Sequence, residues 1–582
     1  MNFKKLLAFF LVAVLLVVGI VGCGPKGDDV DQEGGGKETE EEGSGEDEES
    51  SETSKYGEFG ARPERTYTIL AGNDSGTIDL SETRIGKLIK EYTGVTLEYE
   101  AVVGGDIESK VGVMIASGEY PDIIWGGDNH QKFLEAGAAI PLDDLIEEYG
   151  ENTKIAYDEA TLKKHRLEDG HIYFLSPYRE ELPNITNVDN GFWLIKEVVK
   201  LNDYPSTTDT TIDEFFDMVR DYVKDNPEYE GAPTIGFTFP AWESAFFELT
   251  NPPMFLMGYP NDGDILVHRA DDPEDYELET YAASDGAKRY YKLLNELWHE
   301  GLLDKEIFTQ NEEQYQAKLS TGRVVSHVEQ FWQFGYSVPQ LLEQDGKDDR
   351  TWVPFGVTYE DVERGQWHNA GSLKARDGMS ISTSAEDPEG VFIFLDDMLS
   401  EEIQKLYYWG VEGEDYTVDD DGMYYRTPEQ REQAKDEEYS KKQGLGAHWW
   451  GFPRTINDYS DGNAVSPDRQ ISEIQEGYSE SDLEILEAYN ADTWTDLLPE
   501  PIPAPYGFAW DIHIPDDSDA KIATEKMGDA RKKYYPMLIM EPADKFDEIW
   551  DEFVAEWEET GYEVYEEFML DAIKERTKAW TE

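Results

Sequence analysis

From residue 66 onward the chain alternates between two hydrophobic periods. Thr66-Tyr67-Thr68-Ile69-Leu70-Ala71 is a β-rich run that stops at Gly72-Asn73-Asp74-Ser75-Gly76, whose turn residues predict a loop. Ile85, Leu88, Ile89 and Tyr92 then recur at helical spacing, with Gly94 placed as a left-handed residue just past the end. Residues 96–103 predict a second strand, and Ile107, Val111, Met114 and Ile115 a second amphipathic helix. Pro121-Asp122-Ile123-Ile124-Trp125 reads as a short buried strand running into Gly126-Gly127. The order βαβαβ implies parallel pairing with right-handed crossovers. Ligands gather beyond the carboxyl ends of such strands, which singles out the loops at 72–76 and 125–130.

The same signals continue downstream. Thr211 with Glu214 forms a capping box ahead of Phe215, Phe216, Val219 and Val223. Residues 234–239 are strand-like and enter Pro240-Ala241-Trp242. Tyr290, Tyr291, Leu294, Leu297 and Trp298 write a helix ending near Gly301, and residues 323–328 a strand entering Glu329-Gln330-Phe331-Trp332. A short strand is expected at 379–381, and the acidic stretch 546–573 is expected to be helical.

The N-terminus has a different character. Lys4 and Lys5 precede an apolar or small-residue run at 6–21, the layout of a secretory signal. The run ends in Ile20-Val21-Gly22-Cys23, which resembles the lipobox of bacterial lipoproteins. That resemblance implies a signal peptide over 1–22 and a lipid on Cys23, the only cysteine in 582 residues. The chain then becomes a Glu, Asp, Gly and Ser tract with almost nothing to bury, so 23–60 is expected to be a disordered tether. A lipid-bearing cysteine replaces the signal as the membrane anchor, on the extracellular face.

Charge narrows the classes of partner. Asp and Glu number 126 against 50 Lys and Arg, a formal charge of −76, and such a surface repels nucleic acid. The excess is spread along the chain, as in proteins adapted to brine or alkaline media. The body is large enough for two lobes or more.

Several segments then fall into one pattern. Ile115-Ala116-Ser117-Gly118-Glu119-Tyr120-Pro121-Asp122-Ile123, Ala139-Ile140-Pro141-Leu142-Asp143, Glu300-Gly301-Leu302-Leu303-Asp304, Thr321-Gly322-Arg323-Val324-Val325 and Gly410-Val411-Glu412-Gly413-Glu414-Asp415-Tyr416 occur in that order. Together they resemble the extracellular solute-binding proteins of family 1, the lipoprotein receptors of carbohydrate ABC importers, and in particular the long, oligosaccharide-type members. The resemblance implies an α/β fold of the type II periplasmic-binding kind, with ligand held between two lobes joined by crossover strands. It places lobe 1 at 63–175 plus 375–440 and lobe 2 at 185–370 plus 441–582. It also implies a monomeric receptor delivering its solute to ABC permease subunits. The calcium loop of many long members is not matched by Asp225-Asn226-Pro227-Glu228-Tyr229-Glu230-Gly231, so no metal is carried over, and no cofactor is expected.

Catalytic chemistry finds little support. With this many carboxylates, acid/base pairs arise at any spacing, and the nine histidines form no metal-binding cluster. Neither G-x-x-x-x-G-K-[ST] nor G-x-S-x-G occurs. A surface-anchored carbohydrate-active enzyme and a receptor for peptides or other solutes stay open as alternatives. A sugar receptor needs aromatic platforms for the C–H faces of the ring and polar side chains for its rim. Trp125, Trp242 and Trp332 each end a strand-like run, with Asp128, Glu243 and Glu329 or Gln330 close by. Asn73 and Asp74, and Trp409, Trp449 and Trp450 in other loops, complete the candidate set, the competing role for every tryptophan being core packing. Arg376 with Asp377 reads as support for a crossover.

Overall fold

The computed structural model describes residues 55–71, 79–102, 106–177, 185–374, 377–449 and 451–581. In chain order the elements that position the site are β1 (Arg65–Ala71), α1 (Arg84–Thr93), β2 (Val95–Tyr99), α2 (Ile107–Ser117), β3 (Ile123–Trp125) and α3 (His130–Glu135). There follow β4 (Asn190–Ile195), α4 (Ile212–Asp225), β5 (Ile235–Thr238), α5 (Asp285–Glu300), α6 (Glu312–Leu319), β6 (Val324–Gln330), α7 (Phe331–Phe334), β7 (Trp352–Phe355) and β8 (Ser380–Ile381). The C-terminal part contributes α8 (Asp519–Met540), α9 (Phe546–Glu558) and α10 (Tyr562–Thr581).

The predicted βαβαβ unit forms with the expected pairing. β1 is parallel to both β2 and β3, giving the order β8-β3-β1-β2 with β8 antiparallel to β3. Local chemistry sets the helix ends: Thr83 accepts from Gly86 N–H at the start of α1, and Gly94, at φ 69°, closes it in the left-handed region that favours glycine. The Thr211–Glu214 capping box starts α4, and Gly301, at φ 81°, ends α5. The C-terminal stretch is helical but divided, because Glu559-Thr560-Gly561 separates α9 from α10, with Gly561 at φ 84°.

A second sheet runs β7-β4-β6-β5, with β4 antiparallel to both β6 and β7, and β6 parallel to β5. β6 continues two residues beyond 328, because Glu329 and Gln330 pair with Gly191 and Asn190 of β4. Each sheet has its own core. The first gathers Tyr67 through Leu175 and Met379 through Phe452, and the second Val188 through Trp367 and then Ile485 through Ile573. Leu445, Trp449 and Phe452 join the first core, so the chain passes to the second later than residue 441.

The chain passes between the cores three times, after Leu175, after Trp367 and after Phe452. Leu175, the last residue of the first core before the outgoing crossover, and Met379, the first after the returning one, form an antiparallel bridge. This is the two-lobed, type II periplasmic-binding architecture. The folded body begins by Lys55, earlier than the tether's expected end at residue 60. Tyr56 is buried there, its ring set edge-on to Tyr149 and its hydroxyl 2.8 Å from Asp387 Oδ1 and 2.7 Å from Glu389 Oε2. Cys23 lies outside the described residues.

Candidate functional site

Both sheets present one edge to the crossovers. On the first, the carboxyl end of β3 is tied to the returning crossover, since Trp125 Nε1 donates to Asp377 Oδ1 at 2.6 Å and Lys374 Nζ lies 3.2 Å from Asp377 Oδ2. His130, fully buried, fixes the loop that follows: its Nδ1 accepts from Gly126 N–H at 3.3 Å, which leaves Nε2 to donate to Ser380 Oγ at 3.0 Å. Burial pushes the His130 imidazole down to about 4, so it is neutral at pH 7.

On the second sheet the carboxyl end of β6 meets the amino end of β4. Asp189 lies just before β4: its carbonyl accepts from Phe331 N–H at 2.8 Å and its Oδ2 from Asn369 N–H at 3.0 Å. Asp189 thus ties the outgoing crossover both to the start of α7 and to Asn369 of the returning one. Phe331 packs edge-on against Tyr336, and Trp332 and Tyr336 stand 60% and 67% exposed. They are the two most exposed aromatic side chains among the large hydrophobic residues described. Half-buried Trp242, following β5, sets its ring edge-on to Tyr315 at 5.7 Å, and Tyr315 donates its hydroxyl to Glu329.

A buried carboxyl pair lies behind these rings. Glu248 Oε1 accepts from Gln330 N–H at 3.2 Å, and Glu329 Oε1 lies 2.9 Å from His327 Nδ1, outside hydrogen-bond alignment. Burial holds both carboxyls well above the usual range and His327 well below its own, so the group is kept neutral. Glu329 has no exposure and meets this edge through the Tyr315 hydroxyl.

The candidate residues divide accordingly. Trp242 follows β5 and Trp332 follows β6, and β5 and β6 are neighbours in the second sheet. Glu243 is exposed and pairs with Lys532 at 3.1 Å, a surface contact of small energetic weight. Trp125 is 2% exposed: Gly451 packs on its ring so closely that a Cβ there would overlap it. Trp409, fully enclosed, donates its N–H to Ala464 O at 3.0 Å and packs on Tyr416 and Tyr424. Trp449, 2% exposed, donates to Gly444 O at 2.7 Å and stacks on Tyr407. These three rings, their N–H groups consumed and their faces covered, pack as core and present no platform in this conformation. Asn73, Asp74, Arg376, Trp450 and the Asp128 side chain fall outside the described residues. Tyr336 was not singled out from sequence, although it stands four residues after Trp332 beyond the same strand.

Other features lie off this edge. Small pockets sit between Asp415, Arg426 and Tyr439, and between Asp262, Asn369, Ser372 and Phe508; Trp332 lines neither. Residues 228–233 form a tight hairpin whose turn, Glu230-Gly231, has φ 50° and 80°. Among the described residues no group of three or more His, Cys, Asp or Glu is placed to hold a metal ion.

With the fold and this edge established, comparison with known proteins is informative. A profile of the bacterial extracellular solute-binding proteins matches residues 82–405, more than half of the chain. The chain belongs to that family. This solute-binding protein is 28% identical over 254 residues to FusA of Streptococcus pneumoniae, a fructooligosaccharide ABC transporter substrate-binding protein. That match covers 41% of this chain and 45% of FusA. A second protein of the same organism, a carbohydrate ABC transporter substrate-binding protein, is 22% identical over 258 residues, covering 44% and 48%. The similarity thus spans about half the length of these curated relatives. Among solved structures, an HMO-binding solute-binding protein of Bifidobacterium longum infantis superposes with a TM-score of 0.64 at 14% identity, covering 89% of this chain and 99% of that one. The alginate-binding protein AlgQ2 gives 0.58 at 18% identity, covering 88% and 99%. At these identities the superpositions establish the fold.

Proposed function

We propose that this solute-binding protein captures a neutral oligosaccharide between its lobes and hands it to an ABC importer, acting as a lipid-anchored monomer on the extracellular face of the membrane. The observation that carries the reading is the exposed Trp332–Tyr336 pair at the crossover edge of the second lobe, in a chain of this family. Two exposed aromatic rings, on and just beyond the helical turn that follows β6, suit the apolar faces of a pyranose or furanose. Trp242 extends that surface, and Asn73, Asp74, Asp128 and Glu243 are assigned to the ligand's polar rim. The relative named as a fructooligosaccharide ABC transporter substrate-binding protein supports the carbohydrate class. The lipid is assigned to Cys23 and the tether to the acidic tract behind it. No helix among the described residues is long and apolar enough to cross a membrane. The acidic excess is assigned to life in brine or at alkaline pH.

Ligand binding is coupled to lobe closure, which requires the closed form to bind more tightly than the open one. The test is a panel of neutral fructo-, malto- and xylo-oligosaccharides read by thermal shift and X-ray scattering. One or more should raise Tm and reduce the radius of gyration. Hydrolysis products in place of a stable complex would transfer the chain to the carbohydrate-active enzymes, and a response to peptides alone would reassign the ligand class.

A further inference from the structure

The second lobe's crossover edge holds a polar group that the fold does not use. Asn190 opens β4, directly after the outgoing crossover, and pairs in register with Gln330, the last residue of β6. It is 2% exposed, yet neither its Oδ1 nor its Nδ2 has a hydrogen-bond partner among the described residues. Its neighbours are occupied with one another. The Asp189 carbonyl and Oδ2 take the N–H groups of Phe331 and Asn369. Gln330 N–H is directed at Glu248 Oε1 and Gln333 Oε1, each at 3.2 Å.

A buried carboxamide left in this state costs the fold the desolvation of both a donor and an acceptor, and such groups are rare in native proteins. The cost is not incurred for packing, since Phe192, Leu194 and Ile195 fill the rest of the strand with apolar side chains. At the strand's first position the next chain beyond Asn190 is the crossover itself, where the lobes meet. An amide presents an N–H donor and a C=O acceptor side by side, the complement of two adjacent hydroxyls that accept and donate in turn.

We propose that Asn190 is a ligand-anchoring residue, its carboxamide pairing with adjacent hydroxyls of the captured sugar at the floor of the cleft, below the Trp332–Tyr336 rings. This rests on the carbohydrate reading above and adds to it a diol-recognising group that the sequence did not point out. The amide is held in reserve by the fold and satisfied by the ligand.

The experiment compares wild-type protein with Asn190→Leu, which keeps the number and branching of side-chain heavy atoms and removes both polar ones, and with Asn190→Ser. Tm without sugar is measured for each, together with affinity by calorimetry for a fructo-, malto- or xylo-oligosaccharide that binds the wild type. The expected result is affinity about 10- to 100-fold weaker in both variants, from the loss of one or two buried hydrogen bonds, with the ligand-free Tm of Asn190→Leu unchanged or higher. Wild-type affinity in Asn190→Leu overturns the inference alone, and so does a fall in ligand-free Tm in both variants, which assigns the amide to the fold. No response of the wild type to any sugar in the panel overturns the carbohydrate reading and this inference with it.

Discussion

Trp332 and Trp409 carry the same side chain into opposite environments. Trp332 follows β6 on α7 and is 60% exposed, whereas Trp409 is sealed between Tyr416, Tyr424 and the Ala464 carbonyl. Their replacement separates binding from folding. Trp409→Ala removes a filled volume and should lower unfolding free energy in urea by about 3–5 kcal/mol. Trp332→Ala should leave stability within about 0.5 kcal/mol and weaken sugar binding by about 1–3 kcal/mol, read by calorimetry. The reverse pattern would take Trp332 out of the site. Asp262 gives a residue-scale test of pH. Its carboxyl is buried, accepts from Tyr506 Oη at 2.9 Å, and is pushed up to about 7 by burial. The folded chain therefore holds this proton more tightly than the unfolded chain, whose carboxyl ionises near 3.8. Its contribution is fully present below that value and is lost as pH rises to about 7, a loss of about 4 kcal/mol in all. Urea unfolding of Asp262→Asn across this range should show a shallower decline than wild type. An identical slope would show the carboxyl to be ionised in the fold.

At the scale of elements, local rules carried far. The strands and helices of the βαβαβ unit, the Thr211–Glu214 box and the left-handed Gly94 and Gly301 ends were all legible, because each is decided by a few neighbouring residues. β4 was not singled out: Phe192-Trp193-Leu194-Ile195 is apolar on both faces, and a continuous apolar run does not distinguish a strand from a buried helix. β6 was expected to stop before its carboxylate, yet β4 pairs with Glu329 and Gln330 and draws them into the sheet. The capping box gives an element-scale prediction. Thr211→Ala leaves the N–H of Glu214 without its acceptor and should cost about 1 kcal/mol, seen as a lower urea midpoint at unchanged m-value. A changed m-value would mean that more than the helix start is affected.

Across the whole molecule, charge and connectivity dominate. A formal charge of −76 spread over one chain makes its carboxylates repel one another, and salt shortens the range of that repulsion to about 3 Å at 1 M. Raising NaCl from about 0.05 M to 1 M should therefore raise Tm in calorimetry. A Tm that falls would show that ion pairs, such as Arg531 with Asp264, outweigh the repulsion. Connectivity explains what sequence left out of the site. Trp125 was placed at the end of a strand and Trp409 and Trp449 in loops, but Gly451, Asp377, Ala464 and Gly444 cover their faces or take their N–H groups. Leu445, Trp449 and Phe452 likewise return to the first core. By itself the sequence determined the first sheet, the helix ends and the motifs that place the chain among extracellular solute-binding proteins, because periodicity, caps and turns act within one or two turns of chain. Only the tertiary structure decided the order of the second sheet, the exposure of Trp332 and Tyr336 and the unpaired amide of Asn190, because burial and hydrogen-bond satisfaction are set by groups tens to hundreds of residues away.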